Sequence, residues 1–183
     1  MFIILIGYMG SGKTSVGRLL SLFLVNKFYD LDEIIINWKN QYIQNILLKN
    51  GENNFRTDET YFLHYLKSIK TKIVLSTGGG TPCFSDNIYC LNRLGYSYYL
   101  HLSSKEIFQR IRYKKYKRPL ISFLSDNKLL FYLHKNLSNR IKYYNKSNYK
   151  LDIVNSFTEE ITFYIHNQLS IFPYRNGIIK TFK

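Results

Sequence analysis

The sequence predicts an α/β protein of the three-layer, doubly wound class, and three observations carry that expectation. The chain opens on a continuous β-prone apolar run, Phe2-Ile3-Ile4-Leu5-Ile6, ending at Gly7, as a parallel strand buried on both faces would. Four more short strand-like runs follow, each ending in polar or glycine residues, with segments of helical length between them. A glycine-rich loop joins the first run to the first helical segment, at the kind of strand end where open α/β sheets bind ligands.

In chain order, strands are expected over 2–6, 28–30, 73–76, 98–102 and 151–154. Helices are expected over about 13–24, 33–48, 53–68, 85–94, 104–113, 127–147 and 157–169. No repeat and no Pro-, Gly- or Ser-rich linker divides the chain, and 183 residues suit one domain. That domain is expected over 1–169, with 170–183 a C-terminal extension lacking periodicity. Residues just after 6, 30, 76 and 102 sit at carboxyl ends of strands and are privileged for binding.

Composition bounds the function. Hydrophobic residues make up 45% and charged residues 21%, enough to bury a core and unlike a disordered tail. Lysine and arginine total 26 against 12 acids, a net charge of +14, which on its face suggests a nucleic-acid footprint. The chain, however, contains no alanine and is crowded with Ile, Asn, Lys, 17 Tyr and 13 Phe, as composition drift would leave it. Only 8 of the basic residues are arginine, and like charges run no longer than Lys114-Lys115, so no nucleic-acid partner is expected. Cys83 and Cys90 fit no metal-ligand spacing and read as reduced thiols. The opening apolar run is too short to span a bilayer and lacks a basic leader, and no later run is longer. A cytoplasmic monomer without membrane partners is expected.

Gly7-Tyr8-Met9-Gly10-Ser11-Gly12-Lys13-Thr14 satisfies G-x-x-x-x-G-K-[ST] between a strand and a helix, the context of a working P-loop. Its glycines let successive backbone N–H groups turn toward phosphate oxygens, and the following helix adds the positive end of its dipole. Lys13 is placed to neutralise the β- and γ-phosphates of ATP and Thr14 to ligate Mg²⁺. A second cluster, Gly78-Gly79-Gly80, follows the third strand; so much glycine at a strand end points to backbone that approaches a ligand closely.

Asp30 and Asp32 follow the second strand as Tyr-Asp-Leu-Asp, and residues two apart in extended chain project to one face. One could hold Mg²⁺ through water while the other accepts a hydroxyl proton from a bound acceptor; a competing reading makes Asp32 a helix cap. Arg56 stands three residues before Glu59 on an expected helix, so the carboxylate can brace the guanidinium. Arg118 precedes Pro119 after a basic stretch, and Arg140 lies within a helical segment. Arginine grips carboxylate or phosphate bidentately, as lysine cannot.

These motifs in this order, with Phe55-Arg56 and Tyr144 following Arg140, resemble the shikimate kinases over residues 1–169. The resemblance implies the nucleoside monophosphate kinase type of P-loop fold, with five parallel strands, an acceptor-binding region over about 31–60 and a mobile lid over about 111–124. It implies ATP- and Mg²⁺-dependent phosphorylation of the 3-hydroxyl of shikimate, in the pathway to chorismate and the aromatic amino acids. Gly10, Ser11, Gly12, Lys13, Thr14 and Ser15 would hold ATP, with Arg110 against adenine and Arg118 reaching its transferring phosphoryl group. Thr14, Asp30 through water, and Ser76 in the outer shell would serve the metal. Asp32, Arg56, Gly78, Gly79, Gly80 and Arg140 would hold shikimate, with Lys13, Asp32 and lid residue Arg118 catalytic. The stretch from Arg110 to Arg118 is one residue longer than usual, and Lys142 stands where the family has proline. Two other readings compete: a gluconate or nucleoside monophosphate kinase on the same fold, and a non-catalytic basic P-loop protein that binds nucleic acid.

Overall fold

The structure, a computed structural model, describes residues 2–117 and 121–175. Its strands are β1 (Phe2–Ile6), β2 (Lys27–Asp30), β3 (Ile73–Ser76), β4 (Gly95–His101) and β5 (Tyr149–Asp152). Its helices are α1 (Lys13–Phe23), α2 (Leu31–Lys39), α3 (Ile43–Leu66), α4 (Asn87–Leu94), α5 (Ser104–Ile111), α6 (Asp126–Tyr144) and α7 (Thr158–Arg175). Short 3-10 turns cover Thr81–Cys83 and Arg112–Lys117.

All five strands are parallel, in the order β2-β3-β1-β4-β5. The apolar run of β1 takes the central place, where every one of its residues is buried. Parallel crossovers are right-handed, so the step from β1 out to β2 puts α1 on one face of the sheet, while the returning steps put α2 to α6 on the other. α7 leaves β5 and packs on α1, completing the first layer. The order reverses at β1, between β3 and β4, and this opens a crevice at the carboxyl ends of the strands, directly above the glycine loop.

The expected elements are present, with shifted boundaries that have local causes. The helical pattern expected over 33–48 is divided near residue 40. Asn40 takes the left-handed conformation (φ 49°) and its N–H closes on the Ile36 carbonyl, a C-cap that ends α2. The break expected around 49–52 is instead a one-residue kink within α3 at Gly51 (φ 77°, ψ 164°). β4 starts at Gly95, three residues early, because only a residue without a side chain can pass there: a Cβ would collide with the Phe2 carbonyl. β5 starts at Tyr149 rather than 151, and α7 continues beyond 169 to Arg175.

β4 is tyrosine-rich, and its aromatic rings are used as core. Tyr98 stacks on Tyr149 (4.9 Å between centroids), while Tyr99 packs on Tyr144 (5.0 Å). Ser97, wholly buried between them, is satisfied by Asn92 and Asn148, whose side chains tie the strand to α4 and to the chain entering β5. Gly95→Ala should lower stability by about 1–3 kcal/mol, the range for forcing extra volume into packed structure. An unchanged urea midpoint would show that β4 does not approach Phe2 so closely.

Candidate active site

The loop after β1 is shaped by glycines in the left-handed region, Gly10 at φ 80° and Gly12 at φ 91°. Gly12 is the N-cap of α1 and carries no side chain to cap it, so the first N–H groups of the helix face the crevice, available to an anion. Lys13 is almost wholly buried; its ammonium group donates to the carbonyls of Gly7 (2.9 Å) and Tyr8 (3.0 Å) and is held against the loop. The Thr14 hydroxyl donates to Asp30 Oδ2 at 2.8 Å.

Asp30 and Asp32 share the crevice, but strand alternation is not the cause. β2 ends at Asp30, and Asp32 already stands in the first turn of α2. The helix cap is Asp30 rather than Asp32: Asp30 Oδ1 accepts from the Asp32 N–H at 3.1 Å while its other oxygen receives Thr14.

A cleft of about 470 Å³ collects Gly10, Gly12, Lys13, Thr14, Ser15, Asp30, Asp32, Ser76, Gly78, Gly79 and Arg110. Met9, Thr77, Ile111 and Lys114 also line it, and the sequence reading did not single them out. Thr77 had a signal in standing between Ser76 and Gly78, and Lys114 in the basic stretch before Arg118. The Ser11 side chain is buried beneath the loop, near Gly7, and does not line the cleft. Arg110 reaches from the last turn of α5 and donates to the Ile153 carbonyl at 3.3 Å. Arg118 lies outside the described residues.

Beyond the glycines of 78–80 lie the other two arginines. Arg56, on α3, donates to Glu59 Oε2 (2.8 Å) and also to Glu52 Oε1 (3.0 Å), one turn earlier. The Glu59 brace was legible from spacing; Glu52 was missed, although it stands four residues before Arg56 on the same helix. Glu59 has no exposed surface, and Thr81 donates to its second oxygen at 2.5 Å. The guanidinium of Arg56 occupies the space a Cβ on Gly80 would need, so a side chain here would displace the guanidinium. A Cβ on Gly78 would press on Glu59, Asp32 and Thr81, all within 2.9 Å. Arg140 lies over the Tyr8 ring at 5.2 Å, close to Gly79, whose carbonyl accepts from the Tyr144 hydroxyl at 2.5 Å. The triple glycine is therefore a backbone passage between the phosphate loop and two oriented guanidinium groups.

Three carboxyl groups crowd this passage, and Asp32 bears the strain. Burial, then the charges of Asp30 and Glu59, push its carboxyl up to about 6 against the pull of Lys13 and Arg56.

One end of this crevice suits the phosphates of a nucleotide and the other a small acceptor that carries negative charge, and a hydroxyl placed between them would meet Asp32. That division of labour is the plan of a P-loop kinase of small molecules. The profile of the shikimate kinase family matches residues 9–170, and the chain belongs to that family of ATP-dependent kinases. It is 37% identical over 145 residues to the shikimate kinase of Phocaeicola vulgatus, covering 79% of this chain and 82% of that one. It superposes on the crystal structure of shikimate kinase from Bacteroides thetaiotaomicron with a TM-score of 0.86 at 30% identity, covering 93% and 98% of the two chains. Shikimate kinase from Acinetobacter baumannii, in complex with shikimate, gives a TM-score of 0.80 at 32% identity, covering 92% of each chain. A gluconokinase from Sinorhizobium meliloti is 16% identical with a TM-score of 0.54, a likeness of fold alone.

The position of Asp32 makes a stability prediction with a definite sign. Its carboxyl ionises near 3.8 in an unfolded chain and about 6 in the fold, so the folded state holds the proton more tightly. The penalty is absent below about pH 4, grows to about pH 6 and is constant above. Asp32→Asn, which cannot ionise, should stabilise the ligand-free protein by about 2–3 kcal/mol at pH 8 and by nothing at pH 4. Chemical denaturation of both proteins at the two pH values, with chelator present, checks this; an equal change at both would refute it.

Proposed function

We propose that this chain transfers the γ-phosphoryl group of ATP to the 3-hydroxyl of shikimate, giving shikimate 3-phosphate on the route to chorismate. The observation that carries the reading is the Arg56 guanidinium, braced by Glu59 and Glu52 under Gly80, with Arg140 beside Gly79 and Asp32 at the same passage. A neutral sugar has no use for two arginines there, whereas a small carboxylic acid is gripped by them bidentately. The family relationship supports the same choice over a gluconate or nucleotide acceptor and over a nucleic-acid-binding role.

In this reading Gly10, Ser11, Gly12 and Ser15 belong to the loop around the phosphates, Ser11 through its backbone alone. Lys13 leaves its carbonyl partners to neutralise the β- and γ-phosphates. The Thr14 hydroxyl and the Asp30 carboxylate, already in contact at 2.8 Å, are hard oxygen donors that suit Mg²⁺, with Ser76 in its outer shell. Among the described residues no cage of three or more His, Cys, Asp or Glu side chains forms, which fits an ion that keeps water and phosphate ligands. Bound there, Mg²⁺ supplies charge neutralisation to the phosphate oxygens.

Arg56 and Arg140 hold the shikimate carboxylate and hydroxyls, and the backbone of Gly78, Gly79 and Gly80 lines the approach. Asp32 accepts the proton of the attacking hydroxyl, a task for which a carboxyl poised nearer neutrality than an exposed acid is suited. Arg110 lies against the adenine. Arg118 reaches the transferring phosphoryl group from a lid over about 111–124, and lid closure excludes water that would compete for it. Residues 31–60 form the acceptor-binding region of a single domain over 1–169, with 170–183 an extension of it. The protein acts as a cytoplasmic monomer without nucleic-acid or membrane partners; the free thiols Cys83 and Cys90 suit a reducing compartment. No helix among the described residues is long and apolar enough to cross a membrane.

A coupled ATP-consumption assay with Mg²⁺ should give ADP release that depends on shikimate and not on gluconate or a nucleoside monophosphate; turnover with either of those instead would overturn the acceptor assignment. Arg56→Ala should raise KM for shikimate about 10- to 100-fold, the loss of a charged hydrogen-bond pair, with KM for ATP little changed. Asp32→Asn should keep ATP affinity and lower kcat by about 10²-fold or more. Near-wild-type turnover in that variant would remove Asp32 from the chemistry.

A further inference from the structure

A second cleft, of about 530 Å³, opens between α3 and α4, away from the phosphate loop. It is large enough for a small organic molecule, and cations outnumber acids along its lining. α3 supplies His64 and Lys67, with the Lys67 ammonium 3.1 Å from His64 Nδ1; α4 supplies Arg93. One acid, Asp86, also lines the cleft, against the two cations Lys67 and Arg93. Cations thus stand on both helices that wall the cleft, an arrangement that favours an anion with two charged ends. At the rim Ser85 is held at φ 47°, a conformation serine rarely adopts and one that accumulates at binding sites.

The floor of this cleft is wired to the acceptor pocket. Thr60 lines the cleft, and its hydroxyl lies 3.0 Å from both the Arg56 carbonyl and Asn87 Oδ1. One hydroxyl proton is shared between these two acceptors, so a third acceptor would compete with both. Asn87, itself almost wholly buried, donates to the Thr81 carbonyl at 3.0 Å; Thr81 donates to Glu59, and Glu59 holds Arg56. A carboxylate in the cleft would offer the Thr60 hydroxyl a third acceptor and draw it from this chain.

We propose that the cleft between α3 and α4 is a second binding site, for a small organic dianion, whose occupancy alters the acceptor pocket through Thr60, Asn87, Thr81 and Glu59. The coupling half rests on the assignment of Arg56 to shikimate; the binding half does not.

Malonate is a suitable probe, because it carries two carboxylates and no phosphoryl group. Calorimetric titration of the full chain, with shikimate and a non-hydrolysable ATP analogue saturating the first site, should show malonate binding. Lys67→Gln/Arg93→Gln, at positions outside the catalytic machinery, should weaken it by at least about tenfold, the loss expected when charged hydrogen bonds are removed. No binding to the wild type, or equal binding to the variant, overturns the site. In steady-state kinetics malonate should shift KM for shikimate in the wild type and leave it unmoved in Thr60→Val, which still binds malonate. Binding without any shift in the wild type overturns the coupling. The titration reads binding directly, so a failure of the shikimate kinase reading would show in the turnover assay and leave this result interpretable.

Discussion

A carboxylate with no exposed surface must find its partners inside the protein, and Glu59 finds them in Arg56 and Thr81. This one group joins α3 to the loop after β3 and fixes where the Arg56 guanidinium lies. The guanidinium fills the space beside Gly80, while the Glu59 carboxylate crowds Gly78, so a side chain at either glycine would push one of these groups from its place. Gly79 lies between them, against the phosphate loop and Arg140. The relative placement of the two halves of the crevice therefore follows from the satisfaction of one buried acid.

The same crowding explains the electrostatics. Asp30, Asp32 and Glu59 are all acids near one passage, and of the three Glu59 is the one paired directly with a guanidinium, which it shares with Glu52. Asp32 is buried, and it sits among like charges, so it is held in a state that folding alone disfavours. Strain of this kind is tolerated when the surrounding structure is firm enough to enforce it. Here the enforcement comes from the buried central strand, the cap on α2 and the Glu59 cluster, none of which depends on the Asp32 carboxyl.

How much of this could be read from residues alone depended on whether the cause was local. The central strand was legible because a strand buried on both faces needs an unbroken apolar run, and the phosphate loop because its glycines and lysine are spaced by the shape of a phosphate group. The brace between Glu59 and Arg56 was legible from helical spacing. The grouping of Asp30 with Asp32 was reached by an argument from extended chain, whereas β2 stops at Asp30 and a helix turn makes the grouping. The divisions near Asn40 and at Gly51 were misplaced because helical periodicity continues across both, and a single left-handed residue leaves little trace in a pattern. The early start of β4 was invisible for another reason: it depends on contact between Gly95 and Phe2, which are remote in sequence. The sharing of Gly80's space with Arg56 is of that kind too, since the sequence marks the glycine and not what displaces its side chain.

Asp30 offers one oxygen to the first turn of α2 and the other to Thr14. Its position in the evolution of such a chain is consequently narrow. Asparagine could close the helix with its amide oxygen, but Thr14 would then have to turn its hydroxyl round to accept from the amide nitrogen, and the negative charge would be lost; serine could cap but is too short to serve both. Every replacement of residue 30 therefore loses or reverses at least one of its two contacts. Two unrelated demands on one side chain close the mutational routes that either demand alone would leave open.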